Sequence, residues 1–278
     1  MKKSFLILAL FLISIIAYAQ PSAIKVEVSG NGNPILYLPG FITPGSVWEP
    51  TVQAVEGTYQ SHLVSYAGFE GLPPISTPWY SQLKEALIAY AEEKDLKNLT
   101  IVGHSMGGNL AVDLAAALPD RIQKLVLVDA LPCMRAMMMP GVTADQIQYD
   151  SPYNNQTLQM QPEAFAQVAS MMAQSMTSNS AFADTLKNWI AEADRKTYVY
   201  GYTDLLKLDL RPELAKIKAP TLILGAPFPT SEMVTNTFND QYSQLPNKAL
   251  AIAPAGKHFI MIDQPEWFHE QLNKFLGN

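Results

Sequence analysis

The sequence predicts an α/β fold in which a mostly parallel sheet is covered by helices on both faces and carries an inserted helical cap. Short apolar runs alternate with helix-like segments, which is the pattern of buried parallel strands joined by crossover helices. Of the 278 residues, 48% are hydrophobic and only 16% are charged, which suffices for one large core and argues against disorder. Residues 131–204 interrupt the alternation and predict the cap.

The elements follow in a simple order. Residues 24–28 alternate apolar and polar side chains as an edge strand does, and the Gly-Asn-Gly-Asn at 30–33 predicts a hairpin turn after it. Apolar runs predict further strands at 34–38, 62–66, 99–102, 125–128, 221–224 and 249–253. Helical spacing predicts helices at 46–55, 79–94 and 109–118, and a last helix begins near residue 263. This order predicts one domain rather than a string of repeats.

The first nineteen residues predict a signal peptide. Lys2 and Lys3 supply a positive start, residues 5–16 are apolar, and Ala17 and Ala19 form a small-x-small cleavage site. The apolar stretch is too short to span a bilayer, although an uncleaved anchor is the alternative. We therefore expect an exported protein, periplasmic or extracellular, without a stable membrane anchor after cleavage.

The rest of the chain is predicted to divide into a core, 20–130 and 205–278, and the cap, 131–204. Eight of the twelve methionines fall in the cap. Flexible thioether side chains suit a surface that adapts to apolar ligands, and they equally suit simple packing of the cap onto the core. Trp189 is the tryptophan best placed for a pocket wall.

Charge, cysteine content and missing motifs argue against several kinds of binding partner, against disulfides and against cofactors. The net charge is −6, and it is −8 without residues 1–19, from 17 basic and 25 acidic residues. Such a surface, without clusters of lysine or arginine, argues against nucleic acid and anionic membranes as partners. A single cysteine, Cys133, can form no internal disulfide and is expected to be a small apolar filler. The sequence contains neither the residue spacing of a metal site nor a dinucleotide-binding motif, so no cofactor is expected.

The strongest motif is Gly103-His104-Ser105-Met106-Gly107, which lies between the run 99–102 and the small-residue helix 109–118. A Gly-x-Ser-x-Gly turn between a buried strand and a helix exposes the serine hydroxyl on a strained backbone, with the helix N-terminus behind it. This context predicts that Ser105 is a nucleophile. A tight turn whose serine merely caps the helix is the alternative.

His258 is the second marked residue. It lies in a glycine-containing loop after the run 249–253, where a side chain can reach across to another loop. Its near-neutral unperturbed pKa suits a general base that takes the serine proton and returns it to the leaving group. A structural loop histidine is the alternative.

With these motifs the chain resembles the α/β-hydrolase fold serine hydrolases, in the group of esterases and haloperoxidase-like enzymes with a helical cap. The resemblance covers about residues 33–277 and also rests on the segments 38–41, 67–71, 125–129, 209–212 and 219–225. It implies an oxyanion hole made by the backbone N–H groups of Met106 and Phe41. Relatives often carry His-Gly before the second donor, whereas this chain has Pro39-Gly40.

The acid of the expected triad departs from the commonest pattern. Many relatives place it just after the strand 221–224, where this chain has no carboxylate between Gly225 and Pro229. Asp129, at the end of the strand 125–128, is the favoured acid, because strand ends fix side chains firmly. Glu232, near the start of the next helix, is the alternative acid.

The function expected from this reasoning is a serine hydrolase that cleaves a small, apolar carboxylic ester through a Ser-His-Asp triad and an acyl-enzyme. Two alternatives would use the same triad, a cofactor-free haloperoxidase or perhydrolase and a hydrolase of carbon–carbon bonds. A third alternative is a ligand-binding protein of the same fold without catalysis.

Overall fold

The computed structural model describes residues 22–277, and the predicted signal peptide at 1–19 lies outside them. Within this range seven strands form one sheet in the order β1-β3-β2-β4-β5-β6-β7. In chain order they are β1 (Ile24–Gly30), β2 (Asn33–Leu38), β3 (Tyr59–Tyr66), β4 (Leu99–His104), β5 (Ile122–Val128), β6 (Thr221–Gly225) and β7 (Lys248–Ile252). Every predicted strand is present, and β3 begins three residues earlier than its apolar run.

The sheet is parallel from β3 to β7, and only β1 runs antiparallel to its neighbour. All six residues of β4 are buried. Because successive side chains of a strand point to opposite faces, such burial requires cover on both faces of the sheet. The predicted mostly parallel, doubly covered sheet is therefore confirmed.

The predicted hairpin at residues 30–33 is wrong. β1 and β2 do not pair with each other, because β3 lies between them and bonds to both. Gly30 and Gly32 do adopt positive φ angles of 75° and 110°. A Cβ on Gly30 would lie 2.5 Å from the carbonyl oxygen of Tyr59, so the turn crosses the start of β3 at close range.

Helices alternate with these strands along the chain. The predicted helix at 46–55 divides into a 3₁₀ turn, Gly45–Trp48, and a short helix α1 (Glu49–Ala54) that has Pro50 in its first turn. The core helices that follow are α2 (Trp79–Glu93) and α3 (Met106–Ala117), each close to its predicted range. Three more core helices follow the insertion described in the next paragraph, so their numbers come after those of its helices. They are α9 (Ser231–Gln241), α10 (Ile260–Asp263) and α11 (Pro265–Gly277).

The chain between β5 and β6 is helical. We call this part, residues 134–207, the helical insertion; it contains α4 (Met134–Met138), α5 (Pro152–Gln159), α6 (Pro162–Met176), α7 (Ser180–Glu192) and α8 (Arg195–Lys207). The predicted domain boundary after residue 204 thus falls inside α8.

Two sets of polar contacts hold the insertion together and to the core. The guanidinium of Arg195 lies 3.5 Å over the ring of Phe165 and donates to two backbone carbonyls at the end of α5. The carboxylate of Asp204, in α8, accepts hydrogen bonds from the backbone N–H groups of Trp79 and Tyr80 at 2.7 and 3.1 Å. Asp204 therefore caps α2 from a distant part of the chain.

Of the helices in residues 22–277, none combines the length and the apolar character needed to cross a membrane.

Candidate active site

Ser105 lies on the turn between β4 and α3 with φ 52° and ψ −121°, a conformation that side-chain-bearing residues rarely adopt. The turn is crowded. A Cβ on Gly103 would lie 2.4 Å from the carbonyl oxygen of Gly107, and one on Gly107 would lie 2.2 Å from that of Leu38. The two glycines of the motif are therefore required by close backbone packing, and the serine side chain is directed to the open side.

Two backbone N–H groups beside Ser105 remain available to a ligand. Met106 is the first residue of α3, and Phe41 lies in the loop after β2. Neither N–H donates to a protein acceptor within the described range 22–277, and both residues line the same cavity as Ser105. The pair predicted as an oxyanion hole is thus free to bind a negative oxygen.

The loop of Phe41 is held without the histidine that many relatives place there. The hydroxyl of Tyr66 donates to the carbonyl of Pro39 at 3.2 Å. The hydroxyl of Thr43 donates to the carbonyl of Gly40 at 2.9 Å. These two hydroxyl groups brace the loop through its main chain, which explains how Pro39-Gly40 can replace the commoner pair.

The structure brings His258 and Asp129 together. Nδ1 of His258 lies 2.6 Å from Oδ2 of Asp129. Because a carboxylate can only accept, Nδ1 carries a proton and Nε2 of a neutral imidazole keeps its lone pair. Both side chains are mostly buried, with 28% of His258 and 18% of Asp129 exposed, and both line the cavity of Ser105. The arrangement can therefore act as a base beside the serine.

Asp129 is positioned by the end of β5 and by the loop after β6. Its own N–H donates to the carbonyl of Leu224 at 2.7 Å, and its Oδ1 accepts the N–H of Ala226 at 2.9 Å. The loop that carries the acid in many relatives here supplies a backbone donor to an acid on the neighbouring strand. Glu232, in the first turn of α9, is exposed and forms no hydrogen bond to His258 within residues 22–277.

His104 is a site residue that the sequence analysis did not single out. Its ring is fully buried and packs against the ring of His258 at a tilt of 48°, with 4.5 Å between centroids, and its Nε2 lies 2.9 Å from the carbonyl oxygen of His258. Burial, and next the charge of His258, hold the pKa of His104 well below its ordinary value. His104 is therefore a neutral donor that ties the main chain of His258 to the turn of Ser105. Its place inside the serine motif was the only available signal.

A cavity of about 450 Å³ opens over Ser105, within the usual size of ligand sites. Four methionines of the helical insertion line it, together with aromatic and aliphatic residues of α8 and the core. The main apolar members are Met134, Met137, Met172, Met176, Tyr198, Tyr202, Leu205, Leu208, Phe228 and Met233. Half of the insertion's eight methionines thus contribute to the wall, whereas Trp189, the predicted wall residue, does not line the cavity.

The mouth of the cavity is apolar. Met137, Phe228 and Met233 line it while 53, 72 and 56% of their surface is exposed. Lys257 also lines the cavity, but its ammonium donates to the carbonyls of Gln174 and Thr177 at the end of α6. The lysine charge is thus directed at the negative end of a helix rather than left free for a ligand.

The fold and this site define the class of α/β hydrolases: a mostly parallel sheet, a serine on a strained strand–helix turn and a paired histidine over one apolar cavity. The sequence profile of the alpha/beta hydrolase family matches residues 35–271, and the chain belongs to this family. It is therefore an enzyme of the hydrolase type.

Known proteins similar to this chain agree with that class. A pimeloyl-[acyl-carrier protein] methyl ester esterase of Aeromonas hydrophila is 26% identical over 269 residues, covering 92% of this chain and all of the relative. The solved structure of an esterase from Exiguobacterium antarcticum superposes with a TM-score of 0.74 at 20% identity, over 93% of this chain and 98% of the other. A bromoperoxidase from Bacillus anthracis gives a TM-score of 0.74 at 23% identity, over 92% and 95%.

Proposed function

We propose that the protein hydrolyses carboxylic esters through Ser105, His258 and Asp129. The observation that carries the proposal is the 2.6 Å contact between Nδ1 of His258 and Asp129, in the same cavity as a serine on a strained turn. Relatives named as esterases, which align over 92% of this chain and over their own full length, support ester chemistry.

The steps follow from the positions of these groups. Nε2 of His258 takes the proton of Ser105 as the hydroxyl attacks the ester carbonyl. The N–H groups of Met106 and Phe41 stabilise the negative oxygen, and each such donor is worth about 10²- to 10³-fold in kcat in serine hydrolases. His258 then protonates the alcohol that leaves, and an acyl-enzyme remains on Ser105. Water, which gives a proton to His258, attacks the acyl carbonyl, and His258 returns that proton to Ser105 as the acid is released. Asp129 orients the imidazole throughout and stabilises its charged form.

The cavity indicates which esters fit. Its volume of about 450 Å³ lies in the range of sites that bind small molecules. The lining is chiefly methionine, aromatic and aliphatic, and the lysine charge is engaged by backbone carbonyls. These features support an uncharged, apolar ester of modest size as the substrate.

We also propose that the protein is exported and cleaved after Ala19, on the pattern of its first nineteen residues. N-terminal sequencing of the protein exported by a bacterial host should begin at Gln20. An exported chain that still begins at Met1 would contradict the cleavage.

The test of the catalytic proposal is covalent labelling of the purified protein. A fluorophosphonate should add once, and intact-mass analysis should show the adduct in wild type but not in Ser105→Ala, which should also lose esterase activity on a series of nitrophenyl esters. Ser175→Ala is a matched control, because Ser175 lines the same cavity while its hydroxyl is bonded to the backbone of α6. This control should keep the label.

Four results would point elsewhere. A label retained in Ser105→Ala, or full esterase activity in that variant, would overturn the assignment of the nucleophile. Peroxide-dependent halogenation without ester turnover would favour the haloperoxidase alternative, and labelling without turnover of any ester would favour another substrate class.

A further inference from the structure

Asp263, the last residue of α10, lies outside the proposed triad but gathers donors from two separate parts of the chain. Its Oδ2 accepts the backbone N–H of Lys257 at 2.8 Å. Its Oδ1 accepts the hydroxyl of Thr177 at 2.5 Å and the N–H of Ser178 at 2.9 Å. One carboxylate thus binds the residue before His258 and the segment that follows α6 of the helical insertion.

Further contacts join the same two segments. The ammonium of Lys257 donates to the carbonyl of Gln174 at 2.6 Å. The N–H of Phe259 donates to the carbonyl of Met176 at 3.2 Å. The residues on both sides of His258 are therefore bonded to the C-terminal end of α6, and Asp263 lies at the centre of these bonds.

The loop of His258 is built to approach Asp263 closely. Gly256 has φ +99°, which a side-chain-bearing residue rarely adopts, and a Cβ there would lie 3.0 Å from Cβ of Asp263. The loop therefore folds around the carboxylate. A charged acceptor with several backbone donors is among the stronger hydrogen-bonding arrangements in proteins.

We propose that Asp263 is a positioning residue that fixes the loop of His258 to the helical insertion, so that the segment covering the substrate also holds the base in place. The inference rests on the proposed function, because it assigns Asp263 a role through His258. Met172 and Met176 of α6 line the cavity, so the same helix forms part of the substrate wall and the support of the base.

The physical basis is the narrow tolerance of proton transfer. A displacement of about 1 Å in a catalytic group can cost about 10²-fold in rate. Loss of the carboxylate frees three donors at once and releases the main chain next to His258. The expected defect is therefore in kcat, with a smaller change in KM, because the apolar wall itself is kept.

The test compares variants of the full chain on one nitrophenyl ester. Asp263→Ala should lower kcat by about 10- to 100-fold and slow fluorophosphonate labelling of Ser105 in parallel, with KM within about threefold of wild type. Asp263→Asn should recover much of the loss, since its amide oxygen can accept from Lys257 while its NH₂ donates to the Thr177 hydroxyl. Thr177→Val removes one bond only and should lower kcat by about three- to tenfold.

Asp194→Ala is the matched control. Asp194 also accepts a backbone N–H and a threonine hydroxyl, both of Thr197 at 2.7 Å, but it forms no hydrogen bond to the loop of His258. This variant should keep the wild-type kcat. Thermal melting is used to check that each variant is folded.

Folded Asp263→Ala with kcat within twofold of wild type would overturn the inference, as would an equal loss in Asp194→Ala. If Asp263→Ala does not fold, an unchanged kcat in Thr177→Val would overturn it instead. Failure of the proposed function is distinct, since Ser105→Ala would then keep its activity whatever the result at Asp263.

Discussion

Ser105 and Asp129 both stand at the ends of neighbouring strands with left-handed backbone angles, φ 52° and 46°. Such conformations cost about 1–3 kcal/mol each for residues with side chains and persist only where the surroundings enforce them. Here the N–H of Ser105 bonds to the end of β5, and that of Asp129 bonds to the end of β6. The end of β5 thus holds Ser105, which follows β4, and the end of β6 holds Asp129, which follows β5.

At the residue scale, the first prediction concerns the acid. Asp129→Asn should lower kcat by about 10²- to 10⁴-fold, because an amide in place of the carboxylate removes the charge partner and the tautomer control of His258. Glu232→Gln should leave kcat nearly unchanged, since Glu232 is exposed and forms no hydrogen bond to His258 within residues 22–277. The measurement is kcat of both variants on the best ester, with folding checked by thermal melting.

Reversed results, with Glu232→Gln crippled and Asp129→Asn active, would make Asp129 a structural residue only. The contact of Asp129 with His258 would then have no part in the rate.

The sequence predicted Ser105, His258 and Asp129 because each follows an apolar run that predicts a strand, and parallel strand ends meet at one edge of a sheet. The roles assigned to His104 and Asp263 could not be predicted this way. Both act on the main chain of the His258 loop, in one case across 154 residues, and backbone contacts leave no residue pattern in the sequence.

At the scale of elements, the helical insertion is held to the core at both of its ends. Cys133 precedes α4, and its backbone N–H and C=O pair with the side-chain amide of Gln241 in α9 at 3.0 Å each. At the other end Asp204 of α8 caps α2. The thiol of Cys133 is buried, as expected for an apolar filler.

The contact of Asp204 yields a stability prediction. Asp204→Ala leaves the N–H groups of Trp79 and Tyr80 buried without an acceptor, which should cost about 1–3 kcal/mol of the free energy of unfolding. At about 2–4 °C for each kcal/mol in a domain of this size, Tm should fall by several degrees.

Asp209→Ala serves as the comparison in the same measurement of Tm. Asp209 pairs with Arg211 only two residues away and partly exposed, so its loss should change stability by less than about 1 kcal/mol. Equal shifts in the two variants would mean that the cap on α2 contributes nothing beyond an ordinary surface ion pair.

The misplaced hairpin shows why pairing of elements is harder to predict than their positions. The sequence at 30–33 correctly predicts a turn, and the positive φ angles of Gly30 and Gly32 are those that a turn requires. Which strands pair, however, depends on where β3 enters the sheet, and nothing in the local sequence of the turn records that. The same holds for the cavity wall: Trp189 lies in the helical insertion, but it does not line the cavity, because the packing of the insertion's helices decides which side chains do.

At the scale of the whole molecule, the order of strands along the chain was sufficient to predict the architecture. Apolar runs of four or five residues, separated by segments with helical spacing, permit few arrangements other than a doubly covered parallel sheet. The family relation over residues 35–271 agrees with that reading. The shape of the cavity was not predictable, because it depends on how five helices of the insertion pack above the sheet.

The contact of His258 with Asp129 spans 129 residues, and that with His104 spans 154. β7, the strand that leads to His258, joins the sheet at its edge beside β6. A partly folded chain that lacks this last pairing therefore has its serine without its base. Contacts between residues far apart in the chain require the closure of long loops, which slows folding. On the proposed mechanism, the polypeptide would therefore be inert until β7 pairs with β6, and esterase activity would appear only with the complete sheet.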